Sequence, residues 1–146
     1  MSSIVATRRR GPGSSAPQLA MSPHRIINPP ELGKPSGFSH AIVAAGRTVH
    51  LAGQLGAGAT IAEQFDTAAG NLLVALRAAG GEVEDLVSLQ IFVTDVSAYK
   101  ECRPEIGQAW RKHFGRHYPA TGLFGISELF EPDALVELMG VAVLPD

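Results

Sequence analysis

Between Thr60 and Ala79 the apolar residues Ile61, Phe65, Ala68, Ala69, Leu72, Leu76 and Ala79 recur at spacings of three and four, the repeat of one helix face. Thr60 followed by Glu63 is a capping box, and Gly80–Gly81 supplies a C-terminal stop. Gly70 and Asn71 sit in mid-helix, where Gly costs about 1 kcal/mol relative to Ala. The pattern therefore predicts a packing or hydrogen-bonding reason for them. Leu86 to Thr94 alternates instead: Val87, Leu89, Ile91 and Val93 against Leu86, Ser88, Gln90, Phe92 and Thr94. That is a strand with one apolar face, which should meet helices, and one mixed face. Ala41–Ala45 and Thr48–Leu55, joined through Gly46-Arg47, read as a hairpin. After Asp95 a short turn holds Ser97 and Tyr99, and Pro104 opens a second helix that turns Ile106, Ala109, Trp110 and Phe114 inward and stops at Gly115.

The stretch Tyr118 to Leu144 predicts two more strands. Leu135–Leu144 is apolar at both alternations except for Glu137, the pattern of a strand buried on both faces; Gly140 and the short length favour strand over buried helix. A carboxylate inside such a run must find a donor or a cation, or take up a proton.

The resulting order is β-β-α-β-α-β-β, an α+β arrangement. Helical crossovers of this length make the strands they join parallel and the hairpin is antiparallel, so the sheet is mixed, with both helices on one face. The other face stays uncovered, and the apolar last strand predicts that it packs on another copy of the chain.

A length of 146 residues with 45% hydrophobic and 18% charged residues fits one globular domain. Residues 1–37 hold six of the ten prolines together with Gly11, Gly13, Ser14 and Ser15, a linker composition. Residues 1–25 are read as a flexible extension and residues 26–146 as the domain, with Met21 a second plausible start. Arg8, Arg9 and Arg10 are followed by no apolar segment of the secretory kind. No window approaches the run of about 20 apolar residues that spans a bilayer, so a soluble protein is expected. A single cysteine, Cys102, excludes an intrachain disulfide framework, and the default compartment is the cytoplasm.

Pro119-Ala120, a strand, a turn, then Leu135-Val136-Glu137 and an apolar finish resemble the C-terminal signature of the RidA/YjgF family, reactive-intermediate deaminases once labelled L-PSP endoribonucleases. Phe38–Leu55, Gln64–Gly81 and Leu86–Asp95 agree in the same order. The resemblance implies a chorismate-mutase-like YjgF fold and a homotrimer whose three sheets form a central barrel, with clefts between subunits that take a small metabolite. It implies no cofactor. It assigns catalysis to Glu137, which would position a water or relay a proton to an imine, and substrate binding to Phe38, Ala52, Gly53, Gln54, Phe92, Thr121 and Leu123. The alternative for Glu137 is a structural glutamate paired with backbone amides.

Three positions depart from the deaminase pattern. Thr121 stands where an arginine grips the substrate carboxylate, and a hydroxyl cannot offer that bidentate cationic fork. Phe38 replaces a tyrosine and Ala52 the serine of Ser-Gly-Gln. A more apolar pocket follows, hence a different or larger ligand, or a binding module without catalysis.

The five histidines show no compact metal-ligand spacing, and His113 and His117 are separated by the helix-ending Gly115. No phosphate-binding glycine loop or nucleophile elbow occurs. Residues 38–146 carry seven basic and thirteen acidic side chains, a net of minus six, which disfavours a polyanion such as RNA. Arg103, Arg111, Lys112 and Arg116 cluster on the second helix and its exit, a pattern most often of a solvated face.

Overall fold

Local signals are obeyed most closely in the first long helix. In the computed structural model, which describes residues 22–146, α1 runs Ile61–Ala78 with Thr60 as N-cap and both halves of the capping box formed. Its end is fixed by the Gly80 N–H on Arg77 O and the Gly81 N–H on Leu76 O, both 3.0 Å, with Gly80 at φ +92°, a conformation cheap only for glycine. The two mid-helix anomalies acquire reasons. Asn71 donates to Leu55 O at 2.9 Å, tying α1 to the strand exit before it. Gly70 leaves room for the His113 ring, whose Cε1 would lie 3.3 Å from a Cβ at that position.

The strands are β1 (Arg25–Ile27), β2 (Ala41–Val43), β3 (Arg47–Gln54), β4 (Leu86–Val93), β5 (Ala120–Gly125) and β6 (Val136–Leu144). Four of them form a mixed sheet in the order β3-β6-β4-β5. β6 is antiparallel to both neighbours and β4 is parallel to β5, so each helical crossover joins parallel strands as expected. One sheet face carries Leu51, Leu86, Leu89, Ile91, Val93, Val136, Leu138 and Ala142. These belong to one buried cluster with Phe65, Leu72 and Leu76 of α1 and with Ile106, Ala109 and Trp110 of α3 (Arg103–His113). Each large apolar side chain taken out of water contributes about 1.5–3 kcal/mol, which fixes both helices on that face.

Four expectations change. The hairpin does not form: β2 pairs with β1, with Ile26 opposite Ile42, while β3 pairs with β6. A tight turn at Gly46 (φ +144°) specifies a chain reversal but not the partner, and the nine-residue β6 offers β3 a longer ladder than the three-residue β2. In β4 it is Leu86, not Val87, that is fully buried, because the ladder to β6 slips between Leu86 and Ser88 and such a bulge reverses the alternation. The segment after Asp95 is a short helix, α2 (Val96–Glu101), whose N-cap Asp95 accepts from the Ala98 N–H at 3.0 Å. Within one chain β6 is fully buried on one face, whereas on the other Glu137, Met139 and Val141 keep some exposure and only Val143 is buried.

Near the start of the described residues, His24 reaches Val143 O at 2.8 Å and β1 begins at Arg25. The arginines at 8–10 and Met21 lie outside the described residues. Among the described residues no helix is long and apolar enough to cross a membrane.

Candidate active face

The sheet face away from the helices is built in rows by the strand register. Gln90 lies between Met139 and Gly122, and Phe92 between Glu137 and Phe124. On the far side His50 pairs with Val141. Residues paired across neighbouring strands share a face, so Glu137, Met139, Val141, Ser88, Gln90, Phe92, Ala120, Gly122 and Phe124 point the same way. Met139 is 37% and Phe124 47% exposed. The Phe92 and Phe124 rings stack at 5.7 Å and 28°, and the Phe124 ring lies over Gly122, where a Cβ would meet it at 2.9 Å.

Glu137 is the only acid contributed by these strands to that face, and its place is set by a glycine. Between Leu51 and Gln54 the β3–β6 ladder shifts by one residue, a bulge that lays the Gly53 backbone beside the Glu137 side chain. A Cβ on residue 53 would stand 2.7 Å from the carboxyl carbon and 3.1 Å from Cγ. Among the described residues the carboxylate enters none of the ion pairs, which are Arg77–Glu82, Lys112–Asp66 and His113–Asp66. Gln54 uses its side-chain amide locally, donating to Ala52 O at 3.3 Å.

Of the other sequence-derived site residues, Gly53 and Phe92 lie beside Glu137, whereas Thr121, Leu123 and Phe38 are placed elsewhere. Thr121 and Leu123 pair with Leu89 and Ile91, on the helix-side face. Ala52 on β3 and Thr121 on β5 occupy opposite edges of the four-stranded sheet, three strand spacings or about 14 Å apart. Thr121 donates its hydroxyl to Pro119 O at 2.8 Å.

Phe38 sits beyond β5, where Ser39 bridges to Ala120 through its N–H on Pro119 O (3.2 Å) and its hydroxyl on Tyr118 O (2.6 Å). Past that bridge β5 has no further strand partner on its outer edge among the described residues. Ile126 N–H bonds Val93 O on β4, so by alternation the Leu123 and Gly125 amides face outward, and Leu123 is 36% exposed.

Two concavities lie elsewhere. One of about 720 Å³ is lined by Phe38, Ser39, Asn28, Lys34, Arg116 and Tyr118, among others. A second of about 660 Å³ surrounds the exit of α3. Glu137 lines neither.

Several polar positions in the helix layer were not legible beforehand. Asp66 of α1 receives His113 Nε2 at 2.6 Å and Lys112 Nζ at 3.2 Å, and the His113 hydrogen bond holds its carboxyl below the usual range. Gly70 inside a strong helix was the one available sign that α3 brings a ring there. Burial pushes the Tyr99 phenol up to about 12 and the Cys102 thiol up as well, which keeps both protonated and unreactive at neutral pH. Burial also lowers His117, and its Nε2 lies 2.7 Å from Leu86 O, which requires the neutral ring to donate from Nε2. No group of three metal-ligating side chains converges among the described residues.

The Endoribonuclease L-PSP family model matches residues 31–144. Among solved structures, a Rid-family protein of unknown function from Yersinia pestis is 32% identical, covers 83% of this chain and 98% of its own, and superposes with a TM-score of 0.73. A YjgF/YER057c/UK114-family protein from Mycobacterium tuberculosis is 30% identical over 83% of this chain and 99% of its own, with a TM-score of 0.61. The RutC family protein UK114 of Drosophila melanogaster is 27% identical over 129 residues, 82% of this chain and 88% of that protein. The mixed sheet backed by one helix layer and the Pro119-Ala120 and Leu135-Val136-Glu137 signatures thus sit in a chain matched along most of its length, and this chain belongs to the Endoribonuclease L-PSP family, that of the RidA/YjgF proteins.

Proposed function

We propose that the protein is a homotrimer that hydrolyses an imine or enamine of a small metabolite in clefts between subunits. The observation that carries this reading is Glu137, the one acid among the strand residues of an uncovered, largely apolar sheet face, set against a glycine that leaves its carboxylate room. The uncovered face supports assembly, since exposed Met139 and Phe124 and half-buried Val141 gain by being taken out of water. The placement of Thr121 and Leu123 on the opposite face supports a site made between copies: a cleft that uses Glu137 together with the β5 edge needs a second chain.

In that cleft Glu137 takes a proton from water as the oxygen bonds the C=N carbon. The proton then passes to nitrogen, and the carbinolamine collapses to a carbonyl compound and ammonia. The outward Leu123 amide is a donor for the developing oxygen. A second reading, a ligand-binding protein without turnover, is favoured by Thr121, Phe38 and Ala52, each of which removes a polar group from the deaminase pattern. RNA cleavage has the least support, given the net charge of minus six over residues 38–146.

The test is ammonia release from a panel of imines and enamines with and without a carboxylate, on protein whose light-scattering mass is three times 15.4 kDa. Glu137→Gln should abolish the hydrolysis and leave the trimer intact. A stable monomer at micromolar concentration, or unchanged turnover in Glu137→Gln, refutes the interfacial mechanism; trimers that bind but release no ammonia from any substrate establish the second reading.

A further inference from the structure

The basic cluster at the end of α3 takes no part in that chemistry, yet it is not a plain solvated face. Arg111, Lys112 and Arg116 all line the concavity of about 660 Å³, and Glu84 is the one acid among its lining residues. Its floor is Phe114 and His117, 1% and 7% exposed, with Ile26 and Val83 as apolar wall. Arg103, at the other end of the same helix, does not line it.

The cations are not equivalent. Arg111, Lys112 and His113 fall in the last helical turn, where positive charge complements the carbonyl end of any helix. Lys112 and His113 are further committed to Asp66. Neither explanation covers Arg116. It lies beyond the helix, on a chain turned by Gly115 at φ +60°, where it lines the same concavity as Arg111 as well as the one of about 720 Å³. Neither Arg111 nor Arg116 has an acidic partner within 4 Å among the described residues. His24 and His117 are held by Val143 O (2.8 Å) and Leu86 O (2.7 Å), which gives the concavity fixed walls.

Two unpaired guanidinium forks beside a third cation match a dianion with three terminal oxygens better than a carboxylate, which one fork satisfies. The Phe114 ring in the floor and the Ile26–Val83 wall suit an organic body attached to that dianion. We propose that this concavity binds a small phosphate monoester, its phosphate between Arg111 and Arg116 and its organic part against Phe114, Ile26 and Val83. The site is independent of the Glu137 face. Leu86, which holds His117, starts β4, whereas Glu137 pairs with Phe92 six residues on, about 20 Å along the strand.

The probe is phenyl phosphate, titrated into the full-length protein at pH 7.5 by calorimetry and by proton NMR of the five histidines. Saturable binding with a Kd below about 1 mM is expected, weaker for benzoate and for inorganic phosphate. Arg111→Ala/Arg116→Ala should weaken it at least about tenfold and Arg103→Ala less than about twofold, with Arg111→Lys, which keeps the charge and loses the fork, in between. The ring resonances of His24, His113 and His117 should move while those of His40 and His50 stay. No saturation by 10 mM, an equal loss in Arg103→Ala, or movement of His50 in place of the cavity histidines overturns the proposal. So does tighter binding of a single-stranded oligoribonucleotide with Arg103 contributing equally, which would mark a polyanion track.

Discussion

Gly53→Ala moves the carboxylate of Glu137 without removing it, which makes it the sharpest probe of the proposed active face. The new Cβ would lie 2.7 Å from the carboxyl carbon and 3.1 Å from Cγ, so reaching an ordinary contact of about 3.5 Å displaces the carboxylate by roughly 1 Å. The atoms that yield are the end of a flexible side chain, and Gly53 is not among the positive-φ glycines; alanine therefore adopts the same backbone. Its lower unfolded-state entropy contributes about 0.4–1 kcal/mol of stability, which offsets the contact, so the melting temperature should shift by no more than a few degrees. A reacting group misplaced by 1 Å costs on the order of 100-fold in rate, about 2.7 kcal/mol of barrier. The assay is ammonia release per chain under single-substrate conditions for wild type, Gly53→Ala, Glu137→Gln and the double variant. If glycine acts through the carboxylate, the double variant is no slower than Glu137→Gln alone. A Gly53→Ala enzyme that keeps wild-type turnover, or loses it additively with Glu137→Gln, refutes the reasoning.

Thr121→Arg should raise hydrolysis of small 2-imino acids that the wild type handles weakly or not at all, by about ten- to a hundredfold from one charge-assisted carboxylate contact; robust wild-type turnover of such a substrate, made in situ by an amino acid oxidase, would show another residue holding the carboxylate. Gln64 is buried and satisfies three backbone groups at once, donating to Gly58 O and Asp133 O at 3.0 Å and accepting from Leu135 N at 2.8 Å. Gln64→Leu should cost about 3 kcal/mol and lower the melting temperature by roughly 10 °C; an unchanged thermal midpoint would show the network to be dispensable. His117 is neutral in the fold with its pKa below the ordinary 6.5, so the unfolded chain binds the extra proton and its stabilising share is present above pH 6.5 and lost as the pH falls through the depressed value. Urea titrations should show stability dropping from pH 7 towards 5 less steeply in His117→Gln, and parallel curves would exclude this residue as the cause.

Helix α1 was legible in the sequence because everything that defines it is local: the Thr60–Glu63 box, the apolar stripe and the Gly80–Gly81 stop act within a turn or two of chain. The mixed sheet and its single helix layer followed from connection lengths, and the lone charge of Glu137 in an apolar run marked the strand that carries the candidate chemistry. Partner choice was not legible. That β3 lies against β6 rather than β2, and that Leu86 rather than Val87 enters the core, depend on ladders between residues dozens of positions apart, where strand length and a single bulge decide and periodicity carries no information. The site divides in the same way. Residue types at 121, 137 and 53 are visible in the chain, but that Gly53 sets the place of the Glu137 carboxylate, and that the sheet separates Glu137 from Thr121, follows only from register, because a strand presents alternate residues to opposite faces and the neighbour fixes which is which.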